Sequence, residues 1–155
     1  MNRWRNESGF VGGFEALPFG FLVFMAGTLL LVNAWAVFDS HLAASAAARE
    51  AVRSFVESDG PELDALNDAE TAAIEALEGH GKDRSRMALV WSGARLARCQ
   101  PVTATVSYRV PLVAVPWIGA FGSGVLRTSA HHTEVVDPLT SGLSLDGFDP
   151  EACHG

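Results

Sequence analysis

The sequence predicts an α+β protein with a long N-terminal transmembrane helix that continues outside the membrane, a second amphipathic helix and a small antiparallel β-sheet of about three strands. Three observations carry this prediction. Residues 14–38 form an almost unbroken apolar run, residues 63–77 repeat apolar side chains every three or four positions, and residues 102–110 alternate apolar with polar side chains. These patterns are typical of a membrane helix, an amphipathic helix and a half-buried strand.

The apolar run Phe14–Phe38 is long enough to span a bilayer, because about 20 helical residues cross a hydrocarbon core of about 30 Å. Arg3 and Arg5 precede the run, and no Lys or Arg follows it before Arg49. The positive-inside rule therefore predicts a single-pass protein of the cell membrane with a cytoplasmic N-terminus and an extracytoplasmic C-terminal domain. A cleaved secretory signal is the alternative, since Ala34-Trp35-Ala36 imitates a processing site, but a signal sequence has only about 7–15 apolar residues.

The predicted organisation has four segments. They are a cytoplasmic leader (residues 1–13), the transmembrane helix (14–38), the extramembrane continuation of that helix (39–57), and a small extracytoplasmic α+β domain with an irregular C-terminal tail (58–155). Alanines support the helical continuation, because alanine has the highest helix propensity. Its apolar face is expected at Leu42, Ala46, Val52 and Val56, packed either on the protein's own domain or on a neighbouring subunit.

The predicted domain begins after the helix breaker Asp59-Gly60-Pro61, with a helix that presents its apolar side at Leu63, Leu66, Ala69, Ala73, Ile74 and Leu77 and ends near Gly79. Three strands follow, over residues 87–92, 102–110 and about 125–136. The connection between the last two strands is a long apolar loop. Its Trp117, Ile118 and Phe121 would pack under the sheet or touch the membrane or a partner.

Several small or polar residues interrupt the apolar run. Pro18 is expected in the first turns of the helix, where a missing N–H does least harm. Gly27 and Asn33 would mark a contact between membrane helices, because small and polar residues allow close approach and interhelical hydrogen bonds, or would simply face lipid. Glu15 is costly in a membrane unless it finds a partner, so it would form an ionic contact with a neighbouring subunit, or reach the headgroups or stay protonated.

Two cysteines, Cys99 and Cys153, are widely spaced and outside any CxxC arrangement, which excludes a zinc ribbon or a thioredoxin-type motif. They would form a disulfide in an extracytoplasmic domain, or remain two free thiols. By the loop-entropy relation, such a bridge would stabilise a small domain by roughly 4 kcal/mol.

The sequence offers no constellation for catalysis, a metal or a cofactor. The HExxH, GxSxG and Walker patterns are absent, and His131 and His132 are neighbours on a predicted strand, so their side chains should face opposite sides. The net charge of -7 and the lack of a basic patch in the sequence argue against nucleic-acid binding. We therefore expect a protein that is not an enzyme and has no cofactor.

Three motifs of the N-terminal region occur in a characteristic order: Ser8-Gly9-Phe10, then Glu15-Ala16-Leu17-Pro18 before an apolar run, then Ala46-Ala47-Ala48-Arg49-Glu50-Ala51. In these motifs the region resembles the TadE-like pseudopilins of tight-adherence (Flp) pilus systems. More weakly, the alternating stretch 102–110 and the closing Val136-Asp137-Pro138 are similar to the actinobacterial group. In this family a glycine precedes the processing site, and the fifth mature residue is a glutamate that is thought to neutralise the N-terminal amine of the next subunit.

The resemblance implies a minor pilin or pseudopilin, with processing at Gly9-Phe10 and subunit contacts at Glu15, Gly27 and Asn33. The implied partners are other pilin subunits, the assembly machinery of the inner (cytoplasmic) membrane, the lipid bilayer and, if Gly9-Phe10 is cleaved, a prepilin peptidase. Glu15 is the sixth residue counted from Phe10, one position later than in the family. The alternative function is a single-pass structural or binding protein unrelated to pili.

Overall fold

The computed structural model describes residues 8–113, 125–139, 143 and 153, with side chains from Ala16 onward. Two helices come first, α1 (Ser8–Val56) and α2 (Glu62–Gly79), followed by a three-residue 3-10 turn at Arg84–Arg86. Three strands follow, β1 (Met87–Ser92), β2 (Pro101–Pro111) and β3 (Val125–Val135). The predicted α+β class, with a long N-terminal helix, a second helix and a three-stranded antiparallel sheet, is confirmed.

Helix α1 is continuous over 49 residues and begins within the segment predicted as a leader. Pro18 therefore lies inside the helix, and its predicted place in the first turns is wrong. The error follows from the start of the helix at Ser8, which the apolar pattern did not reveal. Proline is tolerated inside membrane helices because neighbouring groups and local adjustments satisfy the freed backbone carbonyl.

A short turn reverses the chain between the helices. Ser58 accepts a hydrogen bond from the Gly60 N–H at 3.3 Å. The Pro61 carbonyl then accepts from the N–H groups of Asp64 and Ala65 at 2.9 and 3.0 Å, which starts α2. Proline suits this entry because its φ is already fixed near the helical value.

The two helices pack through small side chains. The fully buried residues are Ala43, Ala44, Ala47, Ala48, Ala51, Val52 and Phe55 of α1, with Ala65, Ala69, Ala73 and Leu77 of α2. The predicted apolar faces are wrong at Leu42 and Leu63, which are 48% and 75% exposed. The distance between packed helices depends on the side chains at the contact, so alanines permit the closest approach and the longer leucines stay outside.

Strand β2 is the centre of the sheet, whose order is β1-β2-β3 with antiparallel pairing throughout. Its alternate side chains Val102, Ala104, Val106, Tyr108 and Val110 are buried, as the sequence pattern predicts. They pack against α1, so the continuation of the helix has the protein's own domain as its partner. The chain after β3 stays paired, because the Val136 N–H donates to the Gln100 carbonyl at 3.1 Å.

The end of the domain farthest from the N-terminal half of α1 has its own small core, formed by Phe55, Ala65, Ala69, Val102 and Val136. The turn after β1 requires a glycine, because Gly93 has a φ of +68° and a Cβ there would lie 2.7 Å from the Pro101 carbonyl oxygen. Trp117, Ile118 and Phe121 of the predicted apolar loop lie outside the described residues.

Candidate functional site

The N-terminal half of α1 projects from the domain. Between Ala16 and Val32, every side chain except the half-buried Leu29 is exposed, although most are apolar; Phe19 is 72% exposed. In the described part of the chain, α1 is the one helix long and apolar enough to cross a membrane. From Phe14 to Val32 it rises about 28 Å, close to the thickness of a hydrocarbon core.

Polar side chains on this half bond to the helix itself. The Thr28 hydroxyl donates to the Phe24 carbonyl at 2.9 Å, and the Asn33 amide donates to the Leu29 carbonyl at 2.9 Å. Further along, Ser40 donates to the Ala36 carbonyl at 2.7 Å. Bonds to a carbonyl four residues earlier hide a polar group within its own helix, which suits a segment surrounded by hydrocarbon.

Asn33 also joins the helix to the sheet. Its Oδ1 accepts a hydrogen bond from the Val113 N–H at 2.9 Å, and its Nδ2 lies 3.5 Å from the Val113 carbonyl oxygen. The two residues are 80 positions apart in the chain, and Val113 comes just after β2. Asn33 therefore holds the end of β2 at the level where the projecting half of α1 meets the domain.

Replacing Asn33 with leucine is expected to release Val113. The variant loses its bonds to the Val113 backbone, so we expect the Val113 amide hydrogen to exchange about tenfold faster, at a net 0.5–1.5 kcal/mol per hydrogen bond. Hydrogen–deuterium exchange of the full chain in micelles, read on peptides that contain Val113, measures this. Thr28→Leu is the matched control, because Thr28 bonds only to its own helix among the described residues. Equal exchange in Asn33→Leu and the unmodified chain would contradict the assignment.

Gly20 and Gly27 lie on an open side of α1. Among the residues that the structure describes, an added Cβ would meet nothing within 4 Å at either position. The two glycines are seven residues apart and so lie within about 20° of each other around the helix. This side is turned away from the face that Asn33, Ala36, Val37 and Ser40 present to the domain. Within the described part of the chain, this side of α1 is therefore open to the approach of another helix.

The other residues predicted at the membrane are described less fully. Gly9, Phe10 and Glu15 belong to α1 by their backbone. Their side chains lie outside the described residues, so the ionic contact predicted for Glu15 and processing after Gly9 stay predictions.

Where α1 enters the domain, an ion pair that the sequence analysis missed joins it to the segment after α2. The Lys82 ammonium lies 2.5 Å from Asp39 Oδ2, and the Lys82 side chain is only 16% exposed. The pair spans 43 positions. Lys82 is the only lysine and Asp39 follows the apolar run, but no local pattern links two residues so far apart.

The next turn carries an ordered carboxylate. The Ser85 N–H donates to Asp83 Oδ1 at 2.9 Å, and this bond holds the pKa of the Asp83 carboxyl below its usual range. Asp83 therefore remains charged and lies 3.8 Å from the Arg86 guanidinium. The neighbouring Tyr108 hydroxyl accepts a bond from the Asp83 N–H at 3.3 Å, which fixes the turn against β2.

Cys99 and Cys153 form a disulfide, with their Cα atoms 5.0 Å apart. Cys99 has a φ of +62°, and its N–H donates to the Val136 carbonyl at 2.9 Å. The Arg98 guanidinium adds bonds to the carbonyls of Pro138 and Leu143. Pro138, Leu143 and Cys153 are therefore held at the end of the domain farthest from the projecting helix.

The histidines of β3 lie on opposite faces of the strand. His131 is exposed, whereas His132 is half-buried with its Nε2 at 3.0 Å from Glu134 Oε1. No group of three potential metal ligands occurs among the residues that the structure describes. An open cleft of about 530 Å³ between α2 and β1 is lined by residues that include Glu70, Ile74 and Trp91.

Arg109 and Arg127 are also brought together by the fold and were not singled out from the sequence. They are directly opposed across β2 and β3, on the exposed face of the sheet. The alternation of β2 assigns Arg109 to this face, but the partner strand's register is needed to place Arg127 beside it.

Comparison of the chain with protein-family models, with curated proteins and with solved structures gives no match.

Proposed function

We propose that the chain is a membrane-anchored pilin-like subunit, a minor pilin or pseudopilin, that acts by helix–helix association in the assembly of a tight-adherence pilus or a related secretion machine. The observation that carries the proposal is that the two halves of one continuous helix have different surroundings. The C-terminal half of α1 packs on the sheet, whereas its N-terminal half is exposed and apolar over about the thickness of a bilayer.

The proposed subunit contact is the glycine side of the projecting half. Hydrocarbon around a membrane helix removes the hydrophobic drive for association, so close packing over small residues becomes the main source of affinity. Gly20 and Gly27 leave space for such packing. Asn33 uses its amide within its own chain, and the contact is therefore assigned to Gly27 in preference to Asn33.

A disulfide cross-linking experiment tests this contact. Gly27→Cys introduces one free thiol, because Cys99 and Cys153 are paired. We expect oxidation in membranes to convert most of this variant to a covalent dimer. Met25→Cys is the matched control, since residue 25 lies at nearly the same depth but about 200° away around the helix. Equal cross-linking of the two variants, or monomer from both, would argue against helix association through this side.

The second candidate is a single-pass structural or binding protein unrelated to pili. The observation that favours it is the spacing of Gly9 and Glu15, which places the glutamate one residue later than in the family the N-terminal region resembles. Mass spectrometry of the mature N-terminus, on protein isolated from membranes, tests the peptidase step that only the pilin proposal includes. A mature N-terminus at Phe10 supports the pilin proposal, whereas a retained leader removes the peptidase step.

A further inference from the structure

Two like charges oppose each other on the outer face of the sheet. Arg109 and Arg127 stand directly opposite each other, and both are exposed. Neither forms an ion pair within residues 16–113 and 125–139. Directly opposed like charges on neighbouring strands are destabilising. An anion held between the two guanidinium groups would remove this repulsion.

A third arginine lies beside the pair. Arg109 donates a hydrogen bond to the Ser85 carbonyl at 3.2 Å, which brings the 3-10 turn against β2. Arg86 and Arg109 then line an open cleft of about 350 Å³ together with Ser85, Pro111 and Val125. We call Arg86, Arg109 and Arg127 the arginine cluster. Positively charged side chains and apolar side chains at the end of the sheet therefore line the same cleft.

The apolar end of the sheet lies at the membrane end of the domain. Val113 is bonded to Asn33, where the exposed apolar half of α1 ends. The side chains of Val113, Val125 and Leu126 are 53%, 64% and 48% exposed. Trp35, two residues beyond Asn33, is also exposed. Tryptophans of membrane helices concentrate at the level of the lipid headgroups.

The arginine cluster lies slightly farther from the apolar half of α1. Thr128, next to Arg127, contacts His41 at 3.2 Å, and Lys82, near the 3-10 turn, pairs with Asp39. These contacts are six to eight helical residues beyond Asn33, or about 9–12 Å along the axis. The headgroup layer on each side of a bilayer is about 5–8 Å thick, within reach of long arginine side chains at this level.

We propose that the arginine cluster binds the phosphate groups of anionic lipids in the leaflet where α1 leaves the membrane. The apolar end of β2 and β3 would lie at the hydrocarbon boundary, and the guanidinium groups would pair with phosphate oxygens above it. The inference rests on the proposed function to the extent that α1 must span a membrane. It adds a lipid contact that holds the domain against the bilayer surface.

The charge at the other end of the domain supports this orientation. The turn after α1 and the first turn of α2 carry Glu57, Asp59, Glu62 and Asp64, and the structure places these residues at the end away from the projecting helix. These four carboxylates are therefore held far from an anionic surface, whereas Asp39 and Asp83, which lie nearer to it, face Lys82 and Arg86. A second copy of the chain could offer acidic residues to the cluster, but it would not account for the exposed apolar end beside the arginines.

Shielding of a fluorescent label tests the lipid contact. Ser129 is exposed and lies two residues from Arg127 on the same face of β3. The full chain with Ser129→Cys, labelled there, is reconstituted into vesicles of phosphatidylcholine, with or without phosphatidylglycerol. We expect phosphatidylglycerol to lower the quenching constant for acrylamide about twofold or more, and salt to reverse the effect, as for other basic residues near anionic lipids.

The variants decide what causes the shielding. Arg109→Gln with Arg127→Gln should abolish the dependence on phosphatidylglycerol. Arg49→Gln with Arg95→Gln removes the same charge from exposed positions away from the cluster and should leave the dependence intact. The proposal would be overturned if both double variants lost the dependence on phosphatidylglycerol, or if the chain with all its arginines showed no such dependence. If shielding in vesicles of phosphatidylcholine alone increases with the protein-to-lipid ratio, the cluster contacts a second copy of the chain instead, and the lipid proposal is overturned.

A separate measurement keeps this inference distinct from the proposed function. Resistance of the reconstituted chain to carbonate extraction shows whether α1 is integrated in the bilayer. Failure to integrate would contradict both proposals. Integration with normal cross-linking at Gly27→Cys, but without lipid-dependent shielding, would contradict the lipid contact alone.

Discussion

Replacement of Phe55 with alanine is expected to lower the free energy of unfolding of the domain by about 3–5 kcal/mol, the range for truncation of a buried phenylalanine. Phe55 is fully buried, and its ring centroid lies 5.4 Å from that of Trp91. It packs with Val102 and Val136 and thus joins α1 to the sheet at the end far from the membrane. Urea denaturation of the full chain in micelles, followed by tryptophan fluorescence, measures the loss.

Phe38→Ala is the matched control for this prediction. Phe38 belongs to the same helix, but it is 55% exposed, and its ring centroid lies 6.1 Å from that of Trp35. Its truncation should change the free energy of unfolding by no more than about 0.5 kcal/mol, as is usual for surface substitutions. Similar losses in the two variants would show that the core around Phe55 does not determine the stability of the domain.

The elements of this fold follow from local patterns. The alternation of residues 102–110 identifies β2 and the face that it buries, because successive side chains of a strand point to opposite sides. The break at Asp59-Gly60-Pro61 separates the helices, and the apolar run identifies the projecting half of α1. These features depend on neighbours in the sequence, so no tertiary contact had to be known.

The packing of the helices does not follow from hydrophobicity alone. Leu42 and Leu63 are more apolar than the alanines beside them, yet the alanines are buried. A pattern that mixes alanine and leucine on adjacent sides of a helix is compatible with more than one buried face. The choice depends on how closely α1 and α2 approach, which is a property of the pair of helices.

The candidate site depends still more on distant contacts. As a polar residue in an apolar run, Asn33 is compatible with a contact between membrane helices or with a lipid-facing position, and its bond to Val113, 80 positions away, is visible only in the structure. The pairing of Arg109 with Arg127 requires the register of β2 and β3. Short turns fix the register of a hairpin, but a connection of 13 residues between Pro111 and Val125 does not.

Removal of the Cys99–Cys153 disulfide is expected to destabilise the domain by about 4 kcal/mol, because the bridge closes a long loop in the unfolded chain. The cysteines are 54 positions apart, so the unfolded chain gains considerable freedom when the bridge is lost. Cys99→Ser with Cys153→Ser should therefore unfold at a markedly lower urea concentration. Reduction of the unmodified chain with dithiothreitol should produce the same change.

The non-covalent contacts of the tail allow the origin of this loss to be tested. Arg98 bonds to the carbonyls of Pro138 and Leu143, and Leu143 contacts the core around Phe55. If the bridge acts mainly on the unfolded chain, these contacts survive its removal, and hydrogen exchange near Leu143 changes only as much as global stability requires. If the bridge instead holds the tail in place, exchange near Leu143 rises far more than exchange in β2. A change of less than about 1 kcal/mol in the free energy of unfolding would contradict the loop-entropy argument for this disulfide.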